Sequence, residues 1–271
     1  MKDEKLKIEI LRLRQITMGI RLLLACGVML LASCGNKAPK ATNDNLNSND
    51  MDTFKTKNGK TVKFTPIKHA SMEINFDGRI IQVDPVIDGA LPVTNYTQWP
   101  KADYILVTHD HYDHLDTQAV ADLSKESTVI VTNASSAEAL GEGKVMANGD
   151  SLRLADDLMV YAVPAYNITP GHTQFHPKDR DNGFILVADG LRIYIAGDTE
   201  DIEEMADVKD IDIAFMPCNQ PYTMTPAQLR HAADMVKPRI LYPYHYGDTD
   251  TEAIKEALEG SGIEVRIRDF Q

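Results

Sequence analysis

Three histidines and a carboxylate fall within six positions at His109-x-His111-x-Asp113-His114. Imidazole nitrogen and carboxylate oxygen together form the ligand set preferred by zinc and its first-row neighbours. Alternate residues of an extended segment share one side, so His109, His111 and Asp113 project together. A turn after Asp113 then swings His114 round, and one loop can serve two adjacent cations. A polar loop that merely happens to be histidine-rich is the plainer reading. It leaves unexplained why three of the chain's eight histidines collect here. A motif of this kind is tested by its structural context.

That context requires a strand before the loop and a helix after it. Tyr104-Ile105-Leu106-Val107 is short, branched and bounded by polar residues, which predicts a buried strand. Thr117 to Lys125 reads as helix. Upstream, Thr61 to Phe64, Ser71 to Phe76 and Arg79 to Val83 read as strands, the last two joined by the hairpin signal Asp77-Gly78. His69 lies between the first two and reads as a hydrogen-bonded structural histidine. Downstream come strand Thr128–Thr132, helix Ser135–Leu140, and strands near Lys144–Met146, Leu158–Val163, Gly183–Ala188 and Leu191–Ala196. A short helix near Ile202–Ala206 and strand Ile211–Phe215 follow. Thr225 and Pro226 supply an N-cap and a first helical residue for Pro226–Val236. Strand Arg239–Tyr242, helix Thr251–Leu258 and strand Ile263–Ile267 complete the chain. His231 falls off the apolar face of its helix and reads as a solvated surface residue. Strands in groups followed by helices suit two sheets packed face to face, with helices outside.

The His109–His114 motif resembles the signature of the metallo-β-lactamase superfamily, and the likeness runs from about Lys63 to Arg268. The acid that follows an early strand in that superfamily resembles Asp84 in Ile81-Gln82-Val83-Asp84-Pro85. Its metal-bridging aspartate resembles Asp198 in Ala196-Gly197-Asp198-Thr199, and its last histidine resembles His245 in Tyr242-Pro243-Tyr244-His245-Tyr246-Gly247. The wording is similar to a branch of metal-dependent hydrolases related to ascorbate-phosphate lactonase and to the phospholipase D acting on N-acyl-phosphatidylethanolamines. The resemblance implies an α/β fold, a single-domain four-layer αββα sandwich with its ligands on loops at one edge. It implies two divalent ions, with His109, His111 and a third histidine on the first. Asp113, His114 and His245 would hold the second, Asp198 would lie between them, and Asp113 and Asp198 would be the catalytic carboxylates. Zinc suits these ligands, as do manganese, iron and nickel.

Where relatives carry the third histidine just after the strand Leu158–Val163, this chain has Pro164-Ala165-Tyr166-Asn167. His172 and His176 follow. His176, in His176-Pro177-Lys178, is preferred, with His172 either the ligand instead or a substrate contact. Tyr166, His172 and Lys178 are candidates for binding substrate. The resulting expectation is hydrolysis of an ester, lactone, amide or phosphodiester bond in a small-molecule or lipid-derived substrate. The alternative is an envelope protein that holds metal or an anion without turnover.

Twenty-eight basic residues stand against forty acidic ones, a net charge of −12. Nucleic-acid binding wants a basic stripe, so that class of partner is disfavoured. Residues 1–33 read as a signal-peptide region. The apolar run from Leu22 to Ala32 is too short to span a bilayer, and it ends in Leu31-Ala32-Ser33-Cys34-Gly35, which resembles a lipobox. Asp3, Glu4 and Glu9 are unusual in such a leader, and Met18 would make a cleaner start. Cys34 is then the lipidation site, giving a lipid-anchored protein of the bacterial cell envelope, in the periplasm or at the outer membrane. Residues 34–52 are polar and read as a tether, leaving 53–271 as the hydrolase domain. Without residues 1–33 the balance is 22 basic against 37 acidic, or −15. Cys218, alone in the domain, reads as a packed strand-end residue and not as a catalytic thiol.

Overall fold

The computed structural model describes residues 52–90 and 92–270. The signal region, Cys34 and all of the tether except Asp52 lie outside the described residues. Asp52, expected in the tether, opens the first strand.

Two seven-stranded sheets make up the described chain. The first runs in chain order through β1 (Asp52–Lys55), β2 (Thr61–Lys68), β3 (Ser71–Phe76), β4 (Arg79–Val83), β5 (Tyr104–Leu106), β6 (Val129–Thr132) and β7 (Lys144–Val145). The second holds β8 (Ser151–Ala155), β9 (Leu158–Ala165), β10 (Asp181–Ala188), β11 (Leu191–Ile195), β12 (Ile213–Pro217), β13 (Ile240–Tyr244) and β14 (Glu264–Val265). Each sheet is an antiparallel four-strand meander continued by three parallel strands. Parallel neighbours need crossovers. Helices α1 (Thr117–Leu123), α2 (Ala134–Leu140), α3 (Pro226–Val236) and α4 (Thr251–Leu258) supply four of them. The chain thus repeats one topology twice, although no repeat is visible in its sequence.

Sequence periodicity explains the layers. Side chains alternate across a strand, so central strands covered on both faces read as continuous apolar runs. In β4, Ile81 and Val83 enter the core between the sheets, while Ile80 faces a smaller outer core with Ala119, Val120 and Leu123 of α1. In β5, Leu106 faces inward and Ile105 outward. The inner faces meet through Phe64 and Phe215, whose ring centroids are 5.2 Å apart, and α3 adds Leu229, Ala232, Ala233 and Val236. This is the αββα sandwich expected above. The β3–β4 turn has Asp77 and Gly78 both at positive φ, the geometry that matches the strand twist and that the Asp-Gly pair favours. At α3, Thr225 and Gln228 form a reciprocal capping box with Pro226 beside them, satisfying two backbone donors that the first turn leaves unpaired.

The edge strands β1 and β8 were not anticipated. Both are short and half-exposed, and few of their side chains are apolar: Phe54 in β1, and Leu152, Leu154 and Ala155 in β8, which pack against the core. Partners hold β1 in place: Asp52 accepts hydrogen bonds from Arg266 Nη1 at 3.0 Å and Arg268 Nε at 2.8 Å. Cys218 is buried in the core just after β12, and burial pushes its thiol up to about 12, as a packing residue requires.

Candidate metal centre

The loops that follow β4, β5, β11 and β13 open at the C-terminal ends of their strands, the end at which α/β sheets commonly present ligand sites. After β5 the chain passes Val107 and Thr108 and enters the histidine motif. The amides of His114 and Leu115 both donate to His111 O at 2.9 Å. That turn carries His114 away from the line of His109 and His111. Asp116 then caps α1 through the amides of Gln118 and Ala119.

Asp198 follows β11 and lies at the middle of the cluster. Its Oδ2 is 3.1 Å from His245 Nε2, 3.3 Å from His176 Nε2 and 4.0 Å from His109 Nε2; its Oδ1 is 3.3 Å from His114 Nε2. Three overlapping groups bring ligand atoms within 4.8 Å of one another: His109, His111 and His176; His69, Asp113, His114 and His245; and His109, His114 and Asp198. Gly197, just before Asp198, lets the chain pass close to β10. It sits at φ +67°, and a Cβ there would meet Asn182 O at 2.7 Å.

A further set of residues orients the rings. Asp84 Oδ2 lies 2.8 Å from His114 Nδ1 and accepts from Thr108 Oγ1 at 2.7 Å, and its Oδ1 accepts from Thr108 N at 2.8 Å. Asp181 Oδ2 lies 3.0 Å from His176 Nδ1, and Thr108 Oγ1 lies 3.0 Å from His109 Nδ1. A carboxylate facing Nδ1 places the ring proton there and turns the Nε2 lone pair inward, the usual arrangement around metal-binding histidines. His69, Asp84 and His245 all adopt positive φ, between 42° and 48°. Such backbone is uncommon for any residue but glycine and gathers at functional sites, where surrounding contacts hold it. The His245 amide, for example, donates to His69 O at 2.9 Å.

Electrostatics separates the groups. Burial holds His109 well below the ordinary histidine value. Burial also opposes charge on His114, but Asp198 and Asp84 outweigh it and hold its proton well above that value. Burial favours a neutral Asp198, yet His114 and His245 keep its carboxyl well below the usual range. Burial lowers His69 to about 4. Nε2 of His109, His114 and His245 and Oδ1 of Asp198 are buried with no hydrogen-bond partner. Each buried polar atom left so costs about 1–3 kcal/mol. A set of inward-facing nitrogens around one anionic oxygen suits divalent cations, so the residues fit the metal that the fold implies.

Of the residues expected from sequence, His109, His111, Asp113, His114, His176, Asp198 and His245 come together here. His69, read as structural, also joins them: its Nε2 is 3.1 Å from Asp113 Oδ2, and its ring lies 3.7 Å from that of His245. Only its place in the β2–β3 turn could have hinted at this. Asp181 and Arg180 were missed as well, having no motif around them. His172 is not in the cluster; its Nδ1 lies 3.2 Å from Glu200 Oε1, a carboxylate that also accepts from the amides of Ile168 and Thr169. Tyr166 and Lys178 meet at Glu204, which accepts from Tyr166 Oη at 2.8 Å and from Lys178 Nζ at 2.8 Å. His231 is exposed beside Asp201.

Residues 63–245 match the model of the β-lactamase superfamily domain. A metal-dependent hydrolase of Caldivirga maquilingensis is 30% identical over 73% of this chain and 90% of its own length. One from Ligilactobacillus salivarius is 31% identical over 68% and 85%. Among solved structures, a protein assigned as a metal-dependent hydrolase from Parabacteroides distasonis is 55% identical, with a TM-score of 0.79, over 82% of this chain and 99% of its own. A metallo hydrolase from Ignicoccus hospitalis, 23% identical with a TM-score of 0.66 over 78% and 96%, shares the fold.

Proposed function

The chain belongs to the metallo-β-lactamase superfamily, and from that premise we propose that this metal-dependent hydrolase works with two divalent cations, zinc by preference. His109, His111 and His176 would hold one, and Asp113, His114 and His245 the other, with Asp198 between the two sets of residues. When bound, they would supply a water of lowered pKa and Lewis-acid polarisation of a carbonyl or phosphoryl group. The substrate is a small or lipid-derived molecule with an ester, lactone, amide or phosphodiester bond.

The chain's own residues account for the rest. Asp198 brings a buried negative charge to a position shared by three histidine Nε2 atoms within 3.3 Å, which lowers the cost of holding two like-charged ions close together. Asp84 and Asp181 set the faces of His114 and His176. His69 holds Asp113 at Oδ2, and Asp113 is the more solvent-exposed of the two catalytic carboxylates. The position of Asp198 among both sets of ligands is the observation that carries this reading.

A panel of p-nitrophenyl acetate, a small lactone and bis(p-nitrophenyl) phosphate tests it. At least one should be turned over, with activity lost to a chelator and restored by zinc. A fully metal-loaded chain inert towards all three would favour a protein that binds metal without turnover.

A further inference from the structure

Arg180 stands at the edge of the metal centre, and the hydrolase reading makes no use of it. Its guanidinium is fixed in place. Nε and Nη2 donate to the two oxygens of Asp181 at 2.7 and 2.8 Å, and Nη2 also donates to Phe175 O at 2.8 Å. The same Nη2 lies 3.2 Å from His111 Nε2, which places the cation against the ring of a metal-binding histidine. Nη1 has no hydrogen-bond partner among the described residues, and the side chain is 32% exposed.

We propose that Arg180 anchors a substrate oxyanion, a carboxylate or a phosphate, through its Nη1 edge while the adjacent centre acts on the scissile bond. This rests on the hydrolase reading and narrows the substrate class to anionic molecules. A guanidinium presents five donors in a rigid plane that matches the geometry of carboxylate and phosphate. Asp181 and Phe175 engage Nε and Nη2, leaving both Nη1 hydrogens without a partner among the described residues. Because the orientation is already set, little side-chain entropy is lost when an anion arrives. The setting gives the cation added weight. The chain carries a net charge of −12, so an anion approaching the centre needs a local positive potential to draw it in. Both cations are paired, but the single ammonium of Lys178 is engaged by Glu204 and Tyr166, whereas Arg180 keeps a second nitrogen, Nη1, beside its pairing with Asp181.

A competing role exists on the same contacts: by gripping Asp181, Arg180 could merely steady His176. Two substitutions in the metal-loaded full chain separate these roles, Arg180→Met and Arg180→Lys. Calorimetric titration with inorganic phosphate gives the binding constant, and the neutral p-nitrophenyl acetate is compared with mono-p-nitrophenyl succinate, whose carboxylate lies apart from the ester that is cleaved. Arg180→Met should weaken phosphate binding at least about tenfold and raise KM for the anionic ester by a similar factor. Arg180→Met should penalise the anionic ester about tenfold more than the neutral one, and Arg180→Lys should recover part of that difference. Unchanged phosphate affinity in Arg180→Met, or no phosphate binding by the wild-type chain at millimolar concentration, overturns the proposal. So does loss of metal with equal damage to both esters, which would make Arg180 a positioning residue for His176. If phosphate binding depends on Arg180 while neither ester is hydrolysed, the anchor stands and the hydrolase reading falls.

Discussion

Asp198→Ala is expected to abolish turnover, lowering kcat by roughly 10²–10³-fold or more while the fold survives. The size follows from where the carboxylate sits. Asp198 is buried and ionised, and it faces the Nε2 atoms of His114, His176 and His245 within 3.3 Å. Removing one preorganised electrostatic group from a reaction centre costs about 10²–10³-fold in kcat, each 1.36 kcal/mol being a factor of about ten. Metal content should fall as well, because both ligand groups lose the anion between them. Asp198→Asn keeps the shape and removes the charge, so a similar loss there assigns the effect to electrostatics. Circular dichroism should be unchanged in both. A protein that only binds metal would lose affinity and have no turnover to lose, which separates the two functions considered from the sequence.

The second large effect distinguishes two histidines only four residues apart. His176→Ala should weaken binding of the cation proposed for His109 and His111 by at least about ten- to a hundredfold, on the scale seen when outer partners of a metal site are lost. His172→Ala should leave metal content intact and change kcat no more than a few-fold. The reason is geometric. His176 is buried with Nδ1 on Asp181 and Nε2 towards Asp198, whereas His172 is bound to Glu200 within its own loop. Metal titration of the two variants checks this; the reverse pattern would move the third histidine to position 172.

Legibility in the sequence followed the range of the interactions involved. His109, His111, Asp113 and His114 could be found because they are neighbours in the chain and their chemistry is dense. Asp198 and His245 were reachable through the wording around them. His69, Asp181 and Arg180 were not, because each matters only through a partner distant in the fold or lodged in a loop of no regular pattern. The apolar strands β3 and β4 and the capped helix α3 were legible to the residue, since periodicity and capping are local. The edge strands β1 and β8 offered only Phe54 and the brief Leu152–Leu154 alternation, too short to stand out from the loops around them. The doubling of one topology into two sheets was equally hidden, because strand order is decided by cross-chain pairing. Tyr166 and Lys178 show the limit of residue type as a guide: both have polar ends suited to a substrate, and both meet Glu204 in the fold.

The central claim is that loops from both sheets meet to form one centre for divalent cations. Elemental analysis of the full chain, purified gently without chelator, tests it most directly. About two transition-metal ions per chain are expected, as in hydrolytic sites where a shared carboxylate lies between paired cations. A content well under one per chain, unchanged after incubation with zinc and removal of the excess, would contradict it.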